Sequence, residues 1–252
     1  MKIAFRSDIG RIRLVNEDRA WAELQDSAYA VAIVADGMGG HLAGEVASQL
    51  AVDTFREAIE GVSLQELNLE ETQTLVRRTI LQANEVVYDM ASRNDQYHNM
   101  GTTVIAVLAQ TASGVIGHIG DSRVYIWSNG QLTQLTEDHT LVNELTKHGQ
   151  ISAEEAANHP RRNVLTRALG TDEQVEVDII NFNWQQGDYL LLCSDGLSNM
   201  VTDEQIQTWI GTDELELDGK ADKLIEMALQ AGGDDNITVV LLHHVGDTEQ
   251  EG

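Results

Sequence analysis

Proline and cysteine are nearly absent from this sequence: Pro160 and Cys193 are the only examples in 252 residues. One cysteine allows no intramolecular disulfide. The run Leu190-Leu191-Leu192-Cys193 reads as a buried strand, in which the thiol is a small hydrophobe rather than a nucleophile. With so little proline, and no Ser/Gly-rich linker or fixed-period repeat, nothing divides the chain, so a single domain over residues 1–244 is expected. Basic residues are also few, 16 Lys and Arg against 41 Asp and Glu, for a formal net charge of -25. No basic stripe is available to displace counterions from a phosphate backbone, which excludes nucleic acid as a partner and disfavours an anionic membrane surface. No apolar run is long enough to span a bilayer, and Met1-Lys2-Ile3-Ala4-Phe5-Arg6 reaches a charge before a signal-peptide core forms, so a cytoplasmic protein is expected. His and Cys at short zinc-binding spacing are missing, as is the alternating Asp/Asn loop of an EF-hand.

What is present is an ordinary globular composition with 42% hydrophobic residues, enough for a sizeable core. Short β-branched or apolar runs bounded by turn residues predict strands at 28–35, 102–109, 114–119, 123–127, 131–135, 175–182, 189–193 and 237–242. Asn129-Gly130 between two of them predicts a type I′ hairpin turn. Helical periodicity runs from Val46 to Ile59 and from Leu75 to Met90, with further helices at about 203–210 and 220–230. Strands grouped with helices in pairs indicate an α+β fold rather than βαβ alternation. Between Asp138 and Gly170 the strand pattern lapses, apart from a short helix at 151–158, and the segment reads as an insertion over one end of the sheets. The last residues, 245–252, are acidic and are expected to be a disordered tail.

Aspartate recurs beside glycine at the ends of apolar strands: Asp36-Gly37, Gly120-Asp121, Asp195-Gly196 and Gly233-Asp234-Asp235. One such pair marks a turn. Four at strand ends that converge would crowd carboxylates at one rim, where they shift one another's pKa or take up cations. All-oxygen ligands suit Mg²⁺ or Mn²⁺, and a neighbouring glycine lets a carbonyl or water approach the ion. In Arg13-Leu14-Val15-Asn16-Glu17-Asp18 a guanidinium precedes two acids. Such a fork holds phosphate oxygens, although a surface ion pair explains the spacing equally well.

The ordered set RLVNED (13–18), VADGMGGH (34–41), MGTT (100–103), GDSR (120–123), EDHTLVNEL (137–145), RNVLTRALG (162–170), CSDGL (193–197) and GGDDNITVV (232–240) resembles the bacterial branch of the PP2C, or PPM, protein phosphatases. It is most similar to small phosphatases that reverse a membrane-bound Ser/Thr kinase in Gram-positive bacteria. The resemblance runs from residue 2 to 243 and implies a four-layer αββα sandwich, two antiparallel sheets flanked by helix pairs, with residues 138–170 as a flap contacting the phosphoprotein. It implies metal-dependent hydrolysis of phosphoserine and phosphothreonine by water activated on two Mn²⁺ or Mg²⁺ ions, with a third ion beside them. Asp36 would bridge the two ions, the Gly37 carbonyl and Asp18 would complete one, and Asp195 and Asp235 would ligate the other. Asp121 would hold the third ion with Asp195, and Arg13 would grip the substrate phosphate. Glu17 ranks below Asp18 as a ligand. One departure concerns the general acid: Met38 follows Asp-Gly where eukaryotic relatives have histidine, and the nearest histidine is His41. That residue either contacts the substrate and protonates the leaving oxygen or packs beside the cleft. Arg161 and Arg162 would add a positive patch for an anionic phosphoprotein. His118 and His139 are read as structural, and a monomer is expected. A nuclease is disfavoured by the lack of a basic groove, and a binding module without catalysis by the presence of every expected aspartate.

Overall fold

The computed structural model describes residues 1–25, 29–40 and 42–246. His41 and most of the acidic tail therefore lie outside the described residues. Two antiparallel sheets form the centre. One has the order β1 (Lys2–Asp8), β11 (Ile237–His243), β10 (Tyr189–Cys193), β7 (Arg123–Ser128) and β8 (Gln131–Gln134). The other has the order β2 (Asp18–Gln25), β3 (Tyr29–Met38), β5 (Val104–Ala109), β6 (Ser113–Ile119) and β9 (Asp178–Asn183), with β4 (Gly101–Thr102) paired to β3.

The unbroken apolar strands are those buried on both faces. In β3, Ala30, Ala32 and Val34 meet Leu190, Leu192, Val240 and Leu242 of the facing sheet. The alternate residues Val31, Ile33 and Ala35 pack under α1 (Ala43–Ile59) and α2 (Leu69–Arg93). On the opposite side Leu191, Cys193, Val239 and Leu241 pack under α6 (Asp203–Gly211) and α7 (Leu217–Ala231). A period of two in the strands thus divides the apolar side chains among three cores and stacks the layers helix, sheet, sheet, helix. Cys193 is fully buried, and burial pushes its thiol up to about 12, as suits a packing residue. The Asn129-Gly130 turn has positive φ at both residues (51° and 83°), the type I′ signature.

Several boundaries differ from the sequence reading. Strands β1 and β2 were not anticipated: each is an edge strand whose apolar stretch, Ile3-Ala4-Phe5 or Ala20-Trp21-Ala22, is short and flanked by charged residues. The expected strand at 102–109 is interrupted at Thr103, whose amide and hydroxyl turn to the backbone of Asp36. The strand expected from 175 starts at Asp178. The 138–170 segment contains α4 (Ala153–Ala157) as expected, and also α3 (Leu141–Lys147), N-capped by the Thr140 side chain. Its two ends close on each other through a bridge between Thr140 and Leu165, which gives the segment a short stem.

Candidate metal centre

At one end of the sandwich the strand termini deliver Asp18, Asp36, Asp121, Asp195 and Asp235 to a common cleft. Asp18 opens β2 and stands directly across from Asp36 of β3 in the ladder. Asp121 lies in the turn between β6 and β7. Asp195 is the first residue of the short helix α5 (Asp195–Ser198) after β10, and Asp235 precedes β11. A cleft of about 230 Å³ is walled by Arg13, Glu17, Asp36, Gly37, Thr103, Asp121, Asn163, Asp195 and Asp235, among others. Asp18 lies beneath it, 2% exposed. Met38 and Leu165 also line this cleft, and among the described residues no histidine lines it.

Neighbouring backbone and hydroxyl groups hold these carboxylates. The Asp36 carbonyl accepts from the Thr103 amide (2.9 Å) and Thr102 hydroxyl (2.9 Å), and its own amide donates to Thr103 Oγ1 (3.0 Å). Ser194 Oγ donates to Asp18 Oδ2 at 2.7 Å. Asn236 braces the loop before β2: its side chain accepts from the Glu17 amide at 2.7 Å and donates to the carbonyls of Ile9 and Val15. Arg13 Nη2 lies 2.6 Å from Asp235 Oδ2. The ion pair and the phosphate grip weighed for Arg13 are thus compatible, since the pair places the guanidinium at the cleft mouth. Gly37 is packed so tightly that a Cβ would sit 2.0 Å from the Gly44 carbonyl oxygen, which keeps β3 against the start of α1.

Thr102, Thr103, Ser194 and Asn236, which position the aspartates, were not singled out from sequence. Their one signal was position, each within or next to an Asp- or Gly-containing motif. Arg162 lines a second cavity of about 310 Å³ between the 138–170 segment and α5, together with Asp121, Asp138 and Asp195. A roomier cavity of about 840 Å³, walled by Trp21, Tyr29, Arg56 and Leu64 among others, lies at the far end of β2 from Asp18.

The sequence profile described as protein phosphatase 2C matches residues 11–232. This chain belongs to that family. The serine/threonine phosphatase stp of Listeria monocytogenes is 44% identical over 252 residues, covering 100% of this chain and 98% of that protein. The S. agalactiae serine/threonine phosphatase superposes with a TM-score of 0.91 at 38% identity, over 97% of this chain and 99% of that one. The catalytic domain of the phosphatase PstP, solved with two manganese ions, superposes with a TM-score of 0.82 at 36% identity, over 95% and 96% of the two chains. This chain is a metal-dependent serine/threonine phosphatase.

The donor set suits hard divalent ions. Glu17 Oε1, Asp18 Oδ1 and Asp195 Oδ1 are buried without a hydrogen-bond partner, and buried carboxylate oxygens in such a state call for a cation or a proton. Burial, reinforced by Asp195 and other acids nearby, pushes Asp18 and Asp121 from the ordinary 3.8 up to about 7. Burial and Asp235 carry Asp195 up to about 6, and Asp36, desolvated beside Asp18 and Asp195, is raised well above its ordinary value. A carboxyl whose pKa rises on folding stabilises the fold in its protonated form. That contribution is fully present below the unfolded value of 3.8 and is lost as pH climbs through about 6 to 7. Cations compete with those same protons. The phosphatase should therefore bind Mn²⁺ more tightly at about pH 8 than at about pH 5.5, releasing protons at the lower pH. Calorimetry in buffers of different ionisation enthalpy counts those protons, and an affinity flat with pH would contradict the assignment.

Proposed function

We propose that the protein removes phosphate from phosphoserine and phosphothreonine side chains of proteins, with Asp36, Asp195, Asp235 and the Gly37 carbonyl holding two Mn²⁺ or Mg²⁺ ions and Asp18 supporting them. Asp121 and Asp195 form the place for a third. The observation that carries this reading is the convergence of five aspartates from separate strand ends on one cleft with Arg13 at its mouth. When bound, the ions would activate water and neutralise charge on the phosphoryl oxygens.

Among the described residues, the thiol and hydroxyl groups of Cys193, Ser194 and Thr103 are not free to accept the phosphoryl group. Cys193 is fully buried with a raised thiol pKa, Ser194 is buried with its hydroxyl committed to Asp18, and Thr103 Oγ1 is shared between Ser122 and the Asp36 amide. We take water as the nucleophile, with the cleft aspartates committed to holding the ions. Arg13, beside Asp235 at the cleft, would orient the phosphoryl oxygens with its planar fork. Arg162 and the exposed Arg161 on the flap offset the negative surface where an anionic phosphoprotein arrives.

Among the described residues the exposed large apolar side chains are mostly scattered, as at Leu24, Leu69 and Leu81, apart from Ile9, Ile12 and Leu14 in the loop between β1 and β2. No helix among the described residues is long and apolar enough to cross a membrane. We place the protein in the cytoplasm as a monomer, opposing a Ser/Thr kinase.

The deciding experiment measures phosphate release from a phosphothreonine peptide with Mn²⁺, with Mg²⁺ and with chelator, for the wild type and Asp195→Ala. Metal-dependent turnover that the substitution removes supports the reading. A folded wild type inactive with either ion overturns it. In the same assay Arg13→Ala should raise KM about tenfold or more through loss of a charge-assisted contact to phosphate.

A further inference from the structure

Behind the cleft, His118, His139 and Asp178 bring ligand-type atoms within 4.8 Å of one another, as a metal site would. Their hydrogen bonds assign a different role. The Gly120 amide donates to His139 Nδ1 at 3.0 Å, so the ring proton sits on Nε2, which faces Asp178 Oδ2 at 3.1 Å. A cation at Nε2 would need that proton stripped from a ring whose other nitrogen already serves as an acceptor. His118 Nε2 donates to the Ser122 carbonyl at 3.1 Å, and its ring lies 4.6 Å from that of His139.

These bonds surround the turn that carries Asp121. Gly120 is held at both its polar groups by His139: the amide by Nδ1, and the carbonyl by the His139 amide at 2.8 Å. Ser122 is held by His118 through its carbonyl and by Thr103 Oγ1 through its hydroxyl at 2.7 Å. The same histidine also begins the flap. His139 and Arg167, near the two ends of the 138–170 segment, converge on the two oxygens of Asp178, with Arg167 Nη1 2.8 Å from Oδ1. The His139 carbonyl accepts from the Thr166 amide at 2.9 Å, closing the stem. Asp178 in turn is fixed on β9, opposite His118 in the ladder.

We propose that His139 is a positioning residue with two outputs: through Nδ1 it sets the Gly120–Ser122 turn and hence Asp121, and through Nε2–H and Asp178 it seats the flap stem. This rests on the reading of Asp121 as a ligand of a third ion. Outer partners that orient a ligand alter metal affinity without touching the ion.

The test titrates metal-free protein with Mn²⁺ by calorimetry and counts bound ions by electron paramagnetic resonance, for the wild type, His139→Ala, His139→Asn and Asp178→Ala. His139→Ala should weaken the loosest Mn²⁺ step by about tenfold or more and leave the tighter two in place. His139→Asn, whose Oδ1 can stand in for Nδ1 as acceptor, should recover most of that loss. Asp178→Ala should keep all three steps while raising KM for a phosphoprotein more than for a small aryl phosphate. If His139→Ala fails to fold, the other two variants still decide. Asparagine losing the third ion, or Asp178→Ala raising both KM values equally, overturns the proposal. Wild-type titration that stops at two ions overturns the third-ion reading and the proposal with it. Three wild-type ions with unchanged steps in both His139 variants overturns the proposal alone.

Discussion

Asp36→Ala should lower turnover of a phosphothreonine peptide at saturating Mn²⁺ by at least about 10³-fold, beyond the 10- to 100-fold typical of losing an outer partner. Asp36 is the focus of the carboxylate cluster: Asp18, Asp195, Asp121 and Asp235 all act on its ionisation. Its backbone, in contrast, is secured by Thr102 and Thr103 without help from its side chain. The substitution should therefore leave the fold intact. It should even raise the Tm of the metal-free protein at about pH 8, because it removes one of several crowded buried acids. Mn²⁺ should then add little to that Tm. Steady-state kinetics beside a thermal melt separates the two effects, and turnover within tenfold of wild type would place the centre elsewhere.

The second large effect is on the fold. Gly37→Ala should destabilise by at least about 3 kcal/mol, above the usual range for an added methyl group in a packed core. The new Cβ would lie 2.0 Å from the Gly44 carbonyl oxygen and 2.8 Å from that of Glu17, and both obstacles are backbone. No rotamer change relieves the contact, so β3 must part from α1, taking the Gly37 carbonyl and Asp36 with it. Gly40→Ala is the matched control, with nothing within 4 Å of its added carbon. Urea unfolding of the pair should show the loss only at position 37. Equal midpoints would mean that the strand and helix can separate at little cost.

The sequence revealed the interior and the acids more readily than the framework between them. Strands such as β3, β5 and β10 were legible because both faces are buried, leaving long apolar runs. The edge strands β1 and β2 were not, because Arg6, Arg19 and Glu23 interrupt any such run, yet β2 carries Asp18 and fixes it opposite Asp36. Asp-Gly pairs flagged four of the five aspartates through turn chemistry, while Asp18 showed only as one of two acids after Arg13, a spacing that a surface ion pair explains as well, until the resemblance of its motif was added. Helix α3 was hidden in EDHTLVNEL, where seven residues hold too few apolar positions to show a helical period. The reading of His118 and His139 as structural fits their burial and hydrogen bonds. What no local pattern could supply is their joint grip on the Asp121 turn, since His118, His139 and Asp178 meet only through tertiary pairing. His41, the proposed contact for the leaving group, falls outside the described residues.

The pairing of β1 with β11 also bears on how the protein is made. In chain order β11, the ladder partner of β1, follows every other element, and the acidic cleft gathers Asp36 from β3 with Asp195 and Asp235 from residues that come after β10. During translation the amino-terminal edge waits unpaired, exposed to other chains, while the second sheet can already assemble from β2, β3, β5 and β6. With the proposed ligands Asp195 and Asp235, a ribosome-bound nascent chain should gain phosphatase activity only after residues beyond 235 have emerged.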